Sequence, residues 1–181
     1  MTVIGSNLLN QIVIDNRVYE PGKILLNLDQ LLNSTLKQDK QRLQGVQDGM
    51  DLSLIKVNKL KKECIITSAK RPVILLRDKQ MKEFKGSKHS LGGMRTGDKD
   101  FEEIRFALQE DDVLFTYTDG FTDQFGGEKG KKYSSKRLKE FLVSISEDTA
   151  LVQKRKLEQE FANWMGQHEQ VDDVCVLGIR F

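Results

Sequence analysis

The residues best placed to do chemistry are carboxylates at the ends of apolar runs. Val113-Leu114-Phe115 continues through Thr116-Tyr117-Thr118 into Asp119-Gly120, and Asp123 follows Asp119 by four residues. Asp172-Asp173 stands immediately before Val174-Cys175-Val176-Leu177-Gly178-Ile179. A buried strand can carry an acidic side chain to a site at its end. Two such strands can gather hard oxygen ligands around Mg²⁺ or Mn²⁺. Spacing alone leaves competing readings. Asp-Gly after a strand is a strong hairpin signal, and an acidic pair before a strand can be a solvated loop end. Consecutive strand residues point to opposite faces, so at most one of Asp172 and Asp173 easily enters a given site. Asp123 reads equally as an outer-sphere or third-metal ligand and as a helix-start residue.

The strings around these carboxylates are long. Tyr117-Thr118-Asp119-Gly120-Phe121-Thr122-Asp123-Gln124-Phe125-Gly126-Gly127 and Gln170-Val171-Asp172-Asp173-Val174 resemble the metal-dependent protein serine/threonine phosphatases of type 2C. The resemblance is closest to their bacterial branch typified by the stage II sporulation protein E phosphatase domain. Pro72 after Ala69-Lys70-Arg71, and Leu91-Gly92-Gly93, fall where that family has comparable residues.

The resemblance implies an α+β fold, an antiparallel β-sandwich flanked by helices. It implies Mn²⁺ or Mg²⁺ as cofactor, two ions per complete domain, held in part by Asp119 and Asp172. Gly120 would leave room beside the metal, and Asp173 would orient its neighbours by hydrogen bonds. The substrate would be a phosphoserine or phosphothreonine protein, as in relatives that act on the phosphorylated antagonist of an anti-sigma factor. The family also carries N-terminal strands with further carboxylates and an Asp-x-x-Gly-His-Gly-like segment. This sequence contains no such segment, and Met1-Thr2-Val3-Ile4-Gly5 looks like the helix after it. The chain therefore reads as a single partial phosphatase domain over residues 1–181 with the N-terminal strands missing. Weak or absent turnover by this polypeptide is the corresponding expectation, with a non-catalytic partner-binding fragment or degenerate domain as the alternative. Unpaired sheet edges would invite a homodimer.

The chemistry has a physical reason. A phosphomonoester dianion repels hydroxide, and two divalent cations roughly 3.5–4 Å apart neutralise it and acidify a bridging water. No cysteine nucleophile is needed. His89 and His168 are too scattered for a metal cluster and read as surface residues. Gly126-Gly127-Glu128-Lys129-Gly130-Lys131-Lys132 lacks phosphate-loop spacing and reads as a basic flap that meets an acidic or phosphorylated partner.

Composition bounds the rest. The chain has 181 residues, 38% hydrophobic and 31% charged, which suits one folded domain. A net charge of +2 argues against nucleic acid as the main partner. No apolar run approaches the roughly 20 residues that span a bilayer, so no direct membrane insertion is expected. Cys64 and Cys175 sit in apolar runs and read as buried free thiols of a cytoplasmic protein. The resemblance adds an upstream sensory region that could tether the parent protein to a membrane.

The elements that must position the carboxylates follow from periodicity. Val3, Ile4, Leu8, Leu9, Ile12 and Val13 predict a helix over 2–16, and Glu20-Pro21 opens a second one using Ile24, Leu25, Leu28, Leu31, Leu32 and Leu36. Lys37 to Gln47 reads as a loop, with a turn at Asp48-Gly49. Strands are predicted over 50–57, 63–68, 73–76, 81–84, 104–108, 112–118 and 173–180, the first two joined as a hairpin. Gly86 to Asp100 and Phe125 to Tyr133 read as loops. Ser134 or Ser135, and then Asp148, would cap the last two helices. The strands 112–118 and 173–180 are expected to be central, with their Asp119 and Asp172 ends close.

Overall fold

A computed structural model describes residues 2–39, 49–92 and 99–181. The chain opens with helix α1 (Thr2–Asn10), which passes into a π-helical turn at Gln11–Asp15, and then α2 (Pro21–Asp39). Seven strands follow: β1 (Gly49–Met50), β2 (Leu52–Asn58), β3 (Glu63–Ala69), β4 (Val73–Arg77), β5 (Gln80–Phe84), β6 (Leu91–Gly92) and β7 (Ile104–Ala107). Then come β8 (Val113–Tyr117), the short helix α3 (Asp119–Asp123), β9 (Phe125–Gly126) and β10 (Lys131–Lys132). Helices α4 (Ser135–Ser144) and α5 (Ala150–Met165) precede the last strand, β11 (Val176–Arg180). The architecture is α+β with antiparallel sheets. Among the described residues no helix is long and apolar enough to cross a membrane.

Two compact units emerge. The first joins Met1–Pro72 to Lys85–Leu108, the second Val73–Phe84 to Gln109–Phe181.

In the first unit the helical stripe is the core: Ile12, Ile24, Leu25, Leu28 and Leu32 are buried with Ala69, Leu91 and Phe101. Pro21 starts α2 where its missing N–H costs nothing. The next N–H, that of Gly22, donates to Glu103 Oε1 at 2.8 Å. An anion at a helix N-terminus is favoured, and this bond, more than the Arg105 guanidinium, holds the Glu103 carboxyl below its ordinary range. The sheet has the order β2-β3-β7, and β3 is buried from Cys64 to Ala69 because it is the middle strand. Asp29 of α2 and Lys99 form a buried ion pair at 2.7 Å, and Gly92 N donates to the same carboxylate oxygen at 2.8 Å. Helix α2 continues to Asp39, past the predicted end at Leu36. The rest of that expected loop, with Asp48, lies outside the described residues, as do 93–98. The expected loop over 86–100 contains β6, whose Leu91 pairs with Met50.

In the second unit the sheet order is β11-β8-β4-β5, all antiparallel. Ile74, Leu76, Val113, Phe115 and Tyr117 face Leu138 and Leu142 of α4 and Leu157 of α5 across one core. Each fully buried side chain of this kind contributes about 1.5–3 kcal/mol. Asp78 and Lys79 close the β4–β5 hairpin with φ of 49° and 61°, and Arg77 pairs with Gln80. Two positive-φ residues in a two-residue loop match the twist of the flanking strands.

Several details correct the reading of the sequence. β8 is internal as expected, but β11 is an edge strand among the described residues, bonded to β8 alone. Cys64 is buried, whereas Cys175 is exposed, because it precedes the edge strand. Ser134 caps α4, accepting from Arg137 N at 3.4 Å. Thr149, not Asp148, holds the N-cap position of α5, and Asp148 is paired to Lys156 at 2.7 Å.

Candidate metal centre

The centre is built where β8 leaves the sheet and β11 enters it. Because the strands run antiparallel, with Val176 opposite Tyr117, those two ends coincide. Thr118 continues the pairing one step beyond the strand. Its N–H donates to Cys175 O at 3.0 Å. Its hydroxyl donates to Asp173 O at 3.0 Å and accepts from Cys175 N at 2.9 Å. Thr118 occupies the N-cap position of α3 without making a side-chain cap; its hydroxyl bonds the adjacent Asp173–Cys175 segment instead.

Gly120 explains how close the segments come. A Cβ on Gly120 would run into the Asp173 carbonyl oxygen, and would lie 2.9 Å from its carbonyl carbon and 3.3 Å from that of Asp172. Contacts under about 3 Å are steric overlaps. The sequence suggests a glycine that leaves room beside a metal; the neighbour that occupies the space is the Asp172–Asp173 backbone itself.

The acidic side chains differ in their surroundings. Asp119, Asp172 and Asp173 are exposed. Asp119 starts α3, and Thr122 Oγ1 donates to its carbonyl at 3.1 Å. The Asp172 carboxylate accepts from Asp173 N at 2.7 Å, and Gln170 Nε2 donates to Asp172 O at 2.8 Å. Asp123 ends α3 and pairs with Lys132 Nζ at 2.9 Å. His89 and His168 are both exposed. The structure thus brings the Asp119–Gly120 and Asp172–Asp173 backbones together and holds Asp123 at the far end of the same helix.

Gln124 is the positioning residue that the sequence analysis missed. It is fully buried. Its Nε2 donates to Glu169 O at 2.9 Å and Phe125 O at 3.0 Å, and its Oε1 accepts from Val171 N at 3.3 Å. Its carbonyl accepts from Tyr133 N and from Trp164 Nε1, each at 2.9 Å. One amide side chain therefore fixes the segment that delivers Asp172. Hydrophobic periodicity is blind to a buried polar residue; the available signal was its place directly after Asp123.

The donor chemistry fits a hard divalent cation, because every candidate ligand is a carboxylate oxygen. Among the described residues, no group of three or more His, Cys, Asp or Glu is disposed to hold a metal.

A family model described as Stage II sporulation protein E (SpoIIE) matches residues 3–181. The chain belongs to that family. Solved structures agree on the fold. The SiaA-PP2C domain of Pseudomonas aeruginosa is 24% identical with a TM-score of 0.86, covering 99% of this chain and 68% of that one. The PP2C phosphatase domain of SpoIIE from Bacillus subtilis, solved with a fragment of its regulatory domain, is 15% identical with a TM-score of 0.72, covering 98% and 48%. The serine/threonine phosphatase PstP/Ppp of Mycobacterium tuberculosis is 16% identical with a TM-score of 0.56, covering 96% and 80%. No curated protein matches the chain. This SpoIIE-family chain thus has the fold of type 2C phosphatase domains, and each of these three solved chains extends beyond the matched region.

Proposed function

We infer that this chain belongs to a protein serine/threonine phosphatase that hydrolyses phosphomonoesters with Mn²⁺ or Mg²⁺, in bacterial signalling. The observation that carries the reading is the stitching of Thr118 to Asp173 and Cys175, which sets the Asp119 and Asp172 chain segments side by side. Asp119 and Asp172 would hold the cations; when bound, these neutralise the phosphate dianion and acidify a water. The residues of the chain supply the rest. Gly120 admits the Asp172–Asp173 backbone, the Asp173 N–H orients the Asp172 carboxylate, and Gln124 anchors the approach to it. Asp173 tunes the site from beside it. Lys132 engages Oδ2 of Asp123, so Asp123 would join through Oδ1 or by releasing the lysine. The substrate class is a phosphoserine or phosphothreonine protein, of which a phosphorylated anti-sigma factor antagonist is one candidate, met in the cytoplasm.

A second reading is favoured by a ligand set that is incomplete among the described residues: a non-catalytic module that binds a phosphorylated partner. Phosphate release from phosphoserine and phosphothreonine peptides separates the two. The enzyme reading expects slow, Mn²⁺-dependent release that a chelator stops and Asp119→Asn abolishes. No release alongside retained phosphopeptide binding establishes the second reading, and release indifferent to both chelator and mutation overturns the site.

A further inference from the structure

Positive charge is unevenly placed on this chain. Residues 125–137 carry Lys129, Lys131, Lys132, Lys136 and Arg137 against Glu128 alone, a net of +4, while the whole chain is +2. Strands β9 and β10 make this segment a hairpin, with Gly126 opposite Lys131 and Phe125 opposite Lys132. Glycine favours its turn, since Gly127 and Gly130 have φ of 65° and 54°.

The base of the hairpin is a packed platform. Gly127 N donates to Trp164 O at 2.9 Å, and a Cβ at Gly126 would run into that same carbonyl. Arg137 lies over the Trp164 ring at 4.3 Å and the Tyr133 ring at 5.0 Å. The tip from Gly127 to Lys132 is exposed. Among the described residues, Lys129 and Lys131 make no ion pair.

Lys132 fixes where the hairpin sits. Its bond to Asp123 ties it to the end of the helix that Asp119 begins. Four residues of helix rise only about 6 Å, so the hairpin stands beside the acidic centre. Asp119, Asp123, Asp172 and Asp173 repel an anionic substrate, and the adjacent cations oppose that repulsion.

We propose that the 125–132 hairpin docks acidic residues flanking the phosphorylated serine or threonine of a protein substrate, through Lys129 and Lys131. The proposal deepens the phosphatase reading and rests on it for the substrate class. A lysine run on an unanchored loop would be a solvated face. Here an ordered base presents the charges next to the site, which lowers the entropy lost on binding.

The test is fluorescence anisotropy of the full chain with four peptides of one backbone, phosphorylated or not, with acidic or amide flanks. The acidic flanks should tighten binding about tenfold at low salt, and Lys129→Glu with Lys131→Glu should erase that gain. The gain should also shrink at about 1 M salt, where the Debye length is about 3 Å. Equal melting temperatures of the double variant and the native chain show that the fold is kept, and Lys129→Gln with Lys131→Gln should give an intermediate loss. Asp119→Asn should keep the flank gain. If the phosphatase reading alone fails, phosphate adds no affinity while the flank gain persists. Equal affinity for acidic and amide flanks, or a gain that survives the double reversal, overturns the proposal. So does binding to phosphatidylserine vesicles that the reversal abolishes without any peptide preference, which would assign the hairpin to a membrane surface.

Discussion

Strand β8 has an aspartate near each end, and the two live in opposite environments. Asp112 precedes the strand, has no solvent exposure, and receives the Arg77 guanidinium as a fork, Nε to Oδ1 and Nη2 to Oδ2, both at 2.7 Å. Gln109 N adds a third bond at 2.8 Å. The pairing raises the Arg77 pKa above its ordinary value, the hydrogen bond to Asp112 being the largest cause. Asp119 follows the strand, is exposed, and neighbours the Asp172–Asp173 segment. A carboxylate that is buried with its own cation is committed to the fold. One that is exposed beside another acidic segment stays open to a cation. The same residue type therefore serves structure at one end and a candidate ligand role at the other.

Breaking the comparison at the Asp119 end gives the largest effect. In the complete parent domain, Asp119→Asn should lower Mn²⁺-dependent phosphatase activity by orders of magnitude, because it keeps the size and removes the anionic charge that holds a hard cation. The metal-free melting temperature should stay level or rise slightly as carboxylate repulsion is relieved. A large loss of metal-free stability would make Asp119 a structural turn residue.

At the structural end, Arg77→Ala strands the buried Asp112 carboxylate and should cost about 3–5 kcal/mol in urea unfolding. A loss below about 1 kcal/mol would show that Asp112 is not committed to the fold as described.

Gln124→Leu sits between the two. It leaves Glu169 O and Val171 N without their partner, at about 1–3 kcal/mol. It should also weaken metal binding, because the segment leading to Asp172 loses its anchor. Loss of stability with unchanged metal affinity would separate Gln124 from the site.

Glu103 in the first unit is a milder version of the committed carboxylate. Its folded pKa is depressed by the Gly22 N–H. Its contribution is therefore present above the unfolded value of about 4.3 and is lost as pH falls through the folded value. Glu103→Gln should cost about 0.5–1 kcal/mol at pH 7. The gap from the native chain should shrink as pH falls below the unfolded value and close once it is below the folded one. A gap independent of pH would contradict the charge-based account.

Much of this was readable from residue order. The stripe Ile24, Leu25, Leu28 and Leu32 announced α2, and the run Val113 to Tyr117 announced β8, because burial imposes periodicity on an amphipathic helix and an unbroken apolar run on a covered strand. The approach of Asp119 to Asp172 was expected from family resemblance and is met at the level of the backbone. Other features left no periodic trace. The Asp78–Lys79 turn uses two positive-φ residues without a glycine. Cys175 lies in an apolar run yet is exposed, since only pairing order decides which strand is an edge. Gln124 is polar and buried because its partners come from Glu169 and Val171, distant in sequence.

The most direct measurement is the Mn²⁺ dissociation constant, read by electron paramagnetic resonance of free Mn²⁺, for the native chain and for Asp119→Asn, Asp172→Asn and Asp112→Asn at a temperature where all remain folded. Shared ligation predicts that Asp119→Asn and Asp172→Asn each weaken binding at least tenfold, about 1.4 kcal/mol. Joining them should add little, and Asp112→Asn should leave the constant unchanged. Mn²⁺ affinity that is the same in all four proteins would contradict a centre built from Asp119 and Asp172.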